Sequence, residues 1–507
     1  MSPRGRALML ALAAPFAAVA VLALPPVEIA AQPASPPPAA AVAAREPAMN
    51  PQEQAQLRQK RLQDAGIADV TLVEAVAFGP GGAERWRLAN GLEVVIAADP
   101  RAPVAAVHTW VKVGSADERA GLTGLAHLFE HLMFKGTQRH PPGAFDRLLE
   151  QHGASANAAT WLDWTMYHQV VPPAQLAQVL DLEADRLTNL ALTPPALRAE
   201  LEVVRNERLE VVDNSPDGQM DEAVWRAVFG DGPYGHPTLG FASDLAKITL
   251  SDAREFYKAR YAPGNAAVVV VGGVDVDAAL KAVRQSHGGL EPRAVPPRAS
   301  TSPTTRMSRV KVDLDSQNAR LALVWRTVAL DHADHPALAL LAEVLAGADS
   351  TRLHRVLVDD QRLASSVSCD QSDLRLAGAF EVRVALRPGQ AAQAAEEAVH
   401  AQLALLSGDK PISEAEVVAA KNRMKTDELR ELASVDGRAD LLGHTWATAG
   451  SLAGHGKWWQ QLEQLQVADV QRAAKNWLTA ERLVTVVAAP RPAPPPERVS
   501  KAGGAKR

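Results

Sequence analysis

The strongest constraint in the sequence is a nearly all-apolar helix that carries two histidines and a glutamate. The segment GLTGLAHLFEHLMFKG predicts a helix that begins near Thr123. Such a helix must be buried, and polar groups inside it need partners. With about 3.6 residues per turn, His127 and His131 lie one turn apart on one face, with Glu130 beside them. Single buried histidines usually bond to backbone carbonyls, but this spacing instead favours a metal ion with a bound water.

A second predicted helix, over 195–213, offers the ligand that such a site still lacks. A catalytic zinc takes three protein ligands and keeps one position open. When the residues are stepped by about 100° each, Glu200 and Glu207 fall in the middle of the apolar face. A buried carboxylate without a partner is costly or takes up a proton. Buried salt bridges to arginines are the alternative, but the incomplete two-histidine site favours a metal.

Proline-rich stretches divide the chain of 507 residues into two blocks of a common domain size. The stretch that begins at residue 32 has too few large apolar residues to build a core, so we predict that it is a tether. The sequence predicts a signal peptide at 1–31, an Ala/Pro-rich tether and short N-terminal helix at 32–80, a first domain at 81–290, a Pro-rich linker at 291–305, a second domain at 306–490 and a flexible tail at 491–507.

Both blocks alternate strands with amphipathic helices, which predicts an α+β fold. We expect two similar-looking α/β sandwich domains, each an antiparallel sheet with helices, and an internal duplication without a residue-level repeat. The predicted strands are 86–97 about an Asn90-Gly91 turn, 104–113, 166–171, 266–271, 309–315, 320–325, 380–386 and 482–488. The predicted helices include 145–152, 173–189, 195–213, 336–345, 389–406 and 412–434.

Composition excludes several classes of protein. The formal net charge is -5 and 22% of residues are charged, so nothing in the composition indicates a nucleic-acid binder or a disordered acidic chain. Cys369 is the single cysteine, so one chain can build neither a disulfide framework nor a cysteine-based zinc site. The partners of this protein must therefore be sought in a particular site.

The N-terminal residues are typical of an export signal. Arg4 and Arg6 precede an apolar run over 7–24, and small residues at Ala30 and Ala31 offer a cleavage point. This pattern predicts a periplasmic or secreted protein. An uncleaved run that anchors the chain in a membrane is the alternative, because its length is near the lower limit for spanning a bilayer.

The chain resembles the M16 peptidase family, the insulinase, pitrilysin and mitochondrial processing peptidase group, from about Trp86 to about Pro490. In that family a zinc-binding glutamate follows the inverted H-x-x-E-H motif and stands seven residues after another acidic residue. The number of residues from the motif to this glutamate is similar in this chain. Here the spacings are 207 − 131 = 76 and 207 − 200 = 7. The resemblance implies that His127, His131 and Glu207 bind one Zn²⁺ per chain, that Glu130 is the general base, and that Glu200 orients the site. It also implies that the two domains form half of a clamshell chamber.

A neighbouring stretch, NAATWLDWTMYHQVVP, is similar to the family's strand beside the zinc. The edge of that strand accepts the substrate backbone as an added strand. The resemblance therefore makes Asn157, Ala158 and Thr160 candidate substrate-binding residues. The alternative is a β-hairpin whose Thr and Trp residues simply favour strand.

One feature of the family is missing. Many members place an Arg and a Tyr, seven residues apart, in the second half or in a partner chain, where they hold the scissile peptide. Alignment puts Val358 and Ser365 at these positions, and all four tyrosines of the chain precede the linker. We therefore expect a homodimer or a heterodimer in which an M16-like partner supplies the Arg and Tyr.

The expected activity is zinc-dependent hydrolysis of peptides or unfolded segments, as an endopeptidase or oligopeptidase. In this interpretation the chain is the zinc-bearing subunit of a two-chain assembly. The alternative is a non-catalytic peptide-binding or structural subunit, a class that the family also contains. Such members usually lose the zinc motif, whereas this chain retains each element of it.

Overall fold

The structure, a computed structural model, describes residues 50–154, 156–300, 307–406, 408 and 410–491. The predicted signal peptide, the tether up to residue 49, linker residues 301–305 and the tail from 492 lie outside these ranges. No helix within them combines the length and apolar character that crossing a membrane requires.

The described residues form two sheets with helices packed against them. The strands are β1 Val70–Val76, β2 Ala83–Leu88, β3 Glu93–Ala98, β4 Ala105–Val111, β5 Ala156–Thr160, β6 Thr165–Val171, β7 Ala266–Gly272, β8 Ser308–Leu314, β9 Arg320–Arg326, β10 Ala364–Gln371, β11 Ala379–Leu386 and β12 Leu483–Pro490. The helices before the linker are α1 Pro51–Asp64, α2 Leu125–Leu132, α3 Ala144–Gln151, α4 Leu176–Asn189, α5 Pro194–Arg208, α6 Pro216–Phe229, α7 Ala242–Leu245, α8 Leu250–Arg260 and α9 Val276–His287. Those after it are α10 His335–Ala346, α11 Arg352–His354, α12 Ala392–Leu405, α13 Glu414–Leu432, α14 Val435–Ala449, α15 Ala453–Gln464 and α16 Val467–Trp477.

The two halves of the chain share one strand order, although their sequences show no residue-level repeat. The first sheet runs β1-β2-β3-β7-β4-β6-β5, and the second runs β10-β11-β9-β12-β8. When β3 to β7 and β8 to β12 are each counted from one to five, both units have the order 1-5-2-4-3. In both units the first and fifth strands are parallel and the other neighbours are antiparallel. The predicted α+β class with two similar domains is therefore confirmed.

Two details of the prediction need correction. The sheets are mixed rather than purely antiparallel, because the fifth strand of each unit returns through helices and inserts beside the first. Strand β1, in the stretch predicted as tether and short helix, pairs with β2 and extends the first sheet. Only Val70 of β1 is buried and its other residues are partly or fully exposed, so this strand lacks the alternation of a half-buried strand.

Helix exchange joins the two halves. Helix α6 belongs to the first half, yet its apolar residues pack against β8, β9 and β12 of the second sheet. Helix α14, its counterpart in the second half, packs against β4 and β7 of the first sheet. A Cβ at Gly443 of α14 would lie 1.9 Å from Nε1 of Trp110, so only glycine permits this approach. Each sheet is thus covered partly by the other half.

A buried carboxylate fixes α14 to the first sheet. Trp446 of α14 donates its Nε1–H to Glu93 Oε2 at 2.8 Å, and Arg85 and Arg87 pair with the same carboxylate. Burial raises the pKa of Glu93, but its bonds to Arg85, Arg87 and Trp446 outweigh that effect and hold the pKa at about 2. The charged form of Glu93 therefore stabilises the contact between the halves.

We expect Glu93→Gln to lower the free energy of unfolding by about 3 kcal/mol at pH 7, since the folded pKa lies below the unfolded value of 4.5. A depressed pKa contributes stability above the unfolded pKa, and that stability is lost as the pH falls through the folded pKa. Denaturant melts from pH 7 to pH 2.5 should therefore show the variant and the wild type converging in acid. Glu255→Gln, at an exposed ion pair with Arg119, serves as the control and should change little. An equal loss at both pH extremes would contradict this role for Glu93.

Candidate metal centre

The structure brings together the three residues that the sequence predicts as ligands. His127 and His131 lie on α2, and Glu207 lies on α5, which packs against α2. His127 Nε2 is 3.5 Å from Glu207 Oε1, and His131 Nε2 is 3.2 Å from Glu207 Oε2. One ligand atom from each residue lies within 4.8 Å of the others. Two imidazole nitrogens and a carboxylate oxygen therefore converge on one point.

The start of α2 explains how the histidine helix is held. Gly124 has φ 91°, a left-handed conformation, and a Cβ there would lie 2.7 Å from the carbonyl oxygen of Leu239. Glu118 accepts hydrogen bonds from the backbone N–H groups of Gly124, at 2.8 Å, and Ala126, at 2.7 Å. The predicted start near Thr123 is therefore displaced to Leu125, because the chain turns at Gly124 before entering the helix. No pattern in the sequence indicated that Glu118 would accept hydrogen bonds from the start of this helix.

Helix α5 presents its two carboxylates towards α2. Its apolar residues Leu197, Leu201 and Val204 are buried in the core below. The predicted single helix over 195–213 is corrected, because α-helical geometry ends at Arg208 and a π-helical turn follows over Leu209–Asp213. Glu207 thus lies at the last α-helical turn, next to a change in helix geometry of a kind that is frequent at functional sites.

A network of charges surrounds the two histidines. Glu200 Oε1 lies 3.0 Å from Lys135 Nζ, while its Oε2 is 3.7 Å from His131 Nδ1, a distance for an ion pair rather than a hydrogen bond. Burial lowers the pKa of His131, but Glu200 and Glu207 outweigh it and raise the pKa to about 9. Burial raises the pKa of Glu207, but His127 and His131 bring it to about 2. Lys135, three residues beyond the end of α2, was not predicted.

The donor set fits a zinc ion. Two imidazoles and one carboxylate are the ligand types of known catalytic zinc sites, and the carboxylates favour a cation here. Among the described residues, His127 Nδ1 and Glu200 Oε2 are buried atoms without a hydrogen-bond partner. Glu130 is half-buried beside the two histidines, and its carboxylate makes no hydrogen bond or ion pair with another described residue. The Glu130 carboxylate acts on His131 electrostatically.

The candidate substrate strand lies at an edge. Strand β5 holds Asn157, Ala158 and Thr160 and is the last strand of the first sheet, paired on one side with β6. It also contacts α2. Ala158 is buried and Asn157 is exposed, so their side chains alternate between the core and the surface. The outer edge of β5 therefore has backbone groups to which an extended peptide can bond.

The positions aligned with the missing Arg and Tyr offer neither function. Val358 is half-buried against the core of the second half. Ser365 is exposed on β10, and its hydroxyl donates to the carbonyl oxygen of Ala385 at 3.2 Å. Neither side chain supplies a cation or a phenol.

Comparisons with known proteins decide the family. The family model described as Insulinase (Peptidase family M16) matches residues 93–241, and the one described as Peptidase M16 inactive domain matches residues 247–424. The chain is 30% identical over 414 residues to the zinc protease PqqE of Helicobacter pylori, covering 80% of this chain and 93% of that protein. The chain belongs to peptidase family M16.

Other relatives of this M16 chain agree. It is 25% identical over 411 residues to a probable mitochondrial-processing peptidase subunit beta of Arabidopsis thaliana, which covers 77% of this chain and 75% of the relative. The crystal structure of a protease from Helicobacter pylori matches with a TM-score of 0.77 at 30% identity, covering 80% of this chain and 99% of that one. Together with the zinc protease PqqE, these names support a family of metallopeptidases.

The repeated unit of this chain lacks the histidine motif. In the repeated unit, α10 follows the second strand as α2 does in the first unit. Its sequence, HPALALLAEVLA, keeps the apolar character of α2 but has no pair of histidines with a glutamate between them. The candidate centre therefore belongs to the first half alone.

Proposed function

We propose that this M16 chain is a zinc-dependent endopeptidase or oligopeptidase that hydrolyses peptides or unfolded segments. His127, His131 and Glu207 hold one zinc ion per chain, Glu130 is the general base, and Glu200 orients His131. The observation that carries the proposal is the convergence of the three ligand atoms within 4.8 Å, two of them from the helix that also carries Glu130.

The mechanism assigns each residue one task. Zinc held by His127, His131 and Glu207 would supply a Lewis acid, which polarises a carbonyl and makes water more acidic. Glu130 accepts a proton from the attacking water and delivers it to the nitrogen of the leaving amine. Glu200, itself held by Lys135, keeps the ring of His131 in place. The exposed edge of β5 holds the substrate as an added strand, with Asn157, Ala158 and Thr160 along it.

A non-catalytic, peptide-binding or structural subunit is the second candidate. The match of residues 247–424 to an inactive domain favours it. That match covers the half without the motif, whereas His127, Glu130, His131 and Glu207 lie before residue 247. The retained motif supports the catalytic candidate.

Metal removal separates the two candidates. We expect the purified chain to contain zinc and to cleave a quenched fluorescent peptide, at least slowly. A chelator should abolish the cleavage, and added Zn²⁺ should restore it. The non-catalytic subunit would be favoured if the chain contained zinc but showed no chelator-sensitive cleavage, either alone or with an M16-like partner.

We also propose that the active assembly contains a second, different M16-like chain. All four tyrosines of this chain are buried: Tyr167, Tyr234 and Tyr261 are 0% exposed and Tyr257 is 7% exposed. Their hydroxyls bond within the same chain, for example Tyr234 to Asp163 at 2.7 Å. A second copy of this chain therefore has no tyrosine to place in the centre, which favours a heterodimer over a homodimer.

The N-terminal pattern around Arg4, Arg6 and the apolar run over 7–24 supports export to the periplasm or the exterior. Sequencing the N-terminus of the mature protein tests this, because a chain that still begins at Met1 would favour the retained anchor.

A further inference from the structure

A second group of histidines lies on the other face of the first sheet. His108 on β4 and His168 on β6 are directly paired across the two strands. Both lie on the face that α14 covers, among residues such as Ala106 and Trp110, whereas α2 packs on the opposite face. Asp436, in the first turn of α14, approaches both rings. Residues from both halves of the chain therefore meet at this point.

The distances at this group are close to those at the candidate catalytic centre. Asp436 Oδ1 lies 2.8 Å from His108 Nε2 and 3.2 Å from His168 Nδ1. The three ligand atoms lie within 4.8 Å of one another, as in the other centre. In a tetrahedral zinc site with bonds of about 2.1 Å, ligand atoms are about 3.4 Å apart. The two distances to Asp436 Oδ1 are therefore close to the spacing of ligand atoms in a zinc site.

The group is open to solvent on one side. The side chain of His108 is 0% exposed, that of His168 is 18% exposed and that of Asp436 is 41% exposed. A shallow surface pocket reaches Asp436 between Val170 and Ser434. A cation can therefore enter beside Asp436, and a water molecule can complete its coordination.

The two arginines near Asp436 pair with a different carboxylate. Arg438, two residues after Asp436, is paired with Asp99 at 2.9 Å, and Arg101 pairs with the same carboxylate. The carboxylate of Asp436 itself is paired with the two histidines and with no arginine of the described residues.

Hydrogen bonds alone are the competing explanation, since two neutral imidazoles can each donate to Asp436. In that case both rings share one carboxylate oxygen, Oδ1. His108 Nδ1 is a buried atom without a hydrogen-bond partner among the described residues, and a metal-bound His108 would carry a proton there. His127 of the candidate catalytic centre leaves its own Nδ1 unpartnered in the same way. This feature is thus common to both groups and does not argue against a metal.

We propose that His108, His168 and Asp436 form a second metal site, for a divalent transition-metal ion such as Zn²⁺, that links the first sheet to α14. Two imidazoles with a carboxylate suit zinc and its neighbours in the first row, whereas Ca²⁺ and Mg²⁺ prefer oxygen ligands alone. The ion joins residues 328 positions apart in the chain. It therefore stabilises the docking of α14 and takes no part in peptide hydrolysis.

The test uses the full chain with the catalytic centre disabled by His131→Ala. The probe is Zn²⁺ alone, and metal content is measured by mass spectrometry after dialysis. We expect about two zinc ions per wild-type chain, about one in His131→Ala, and none when His168→Asn or Asp436→Asn is added. His332→Asn, which removes an exposed histidine elsewhere, is the matched control and should keep the zinc of the His131→Ala background.

Thermal melts provide a second measurement that does not depend on stoichiometry. Zinc should raise the melting temperature of His131→Ala by roughly a few degrees relative to EDTA and leave the two double variants unchanged. Melts in EDTA show whether each double variant is folded. Because two different ligands are substituted, a folding defect in one double variant still leaves the other for the test. The proposal would be overturned if the double variants bound as much zinc, and responded to it as strongly, as His131→Ala. It would also be overturned if His131→Ala bound no zinc. Neither result bears on peptidase activity.

Discussion

Replacing Glu130 with Gln should lower kcat for peptide hydrolysis by about 10² to 10⁴-fold while the chain still binds zinc. Gln keeps the size of the side chain but cannot accept a proton from water. Glu130 is not among the three ligand atoms that converge within 4.8 Å, so zinc affinity should change little. Initial rates on a quenched peptide, with zinc content measured on the same sample, give both quantities.

Two matched glutamate-to-glutamine variants sharpen this result. Glu207→Gln removes a ligand. Losing a residue that only hydrogen-bonds to a ligand weakens metal binding by up to about 100-fold, so losing Glu207 itself should weaken zinc binding by more than that. Glu150→Gln alters an exposed glutamate on α3 and should change neither quantity. If Glu130→Gln kept normal turnover, another group would be the base and the proposed mechanism would be wrong.

Local patterns in the sequence were sufficient for much of the candidate centre. The spacing within one apolar helix put His127 and His131 on one face, and the helical wheel placed Glu200 inside, where its side chain is 5% exposed. The duplicated strand order was visible only in the structure. The two units share an order of strands rather than residues, and hydrogen-bond pairing between distant strands has no local signature.

The exchange of helices was also beyond sequence reasoning, for a physical reason. An amphipathic pattern indicates that α6 and α14 each bury a face, but it does not say against which sheet. That choice depends on contacts such as Gly443 against Trp110 and Asp436 against His108, which are far apart in the chain. The second histidine group was missed because its three residues become neighbours only through this exchange.

The largest gain in activity should come from a second chain. Alone, this protein should bind zinc yet cleave peptides slowly, because Val358 and Ser365 stand where an Arg and a Tyr are expected and every tyrosine is buried. A partner that contributes those side chains would donate hydrogen bonds to the developing negative charge on the scissile carbonyl. Removing a single such donor typically costs about 10² to 10³ in kcat, so we expect an increase of at least about 10²-fold on mixing.

The experiment copurifies an M16-like chain with this protein from the native host and measures kcat of the mixture against each chain alone. Partner variants with the Arg changed to Ala and the Tyr changed to Phe are the controls, since they should still assemble but should not raise kcat. Glu130→Gln in this chain should abolish the activity of the mixture, because the base remains here whichever chain holds the substrate. Full activity of the lone chain, unaltered by any partner, would show that the centre is complete without a second subunit.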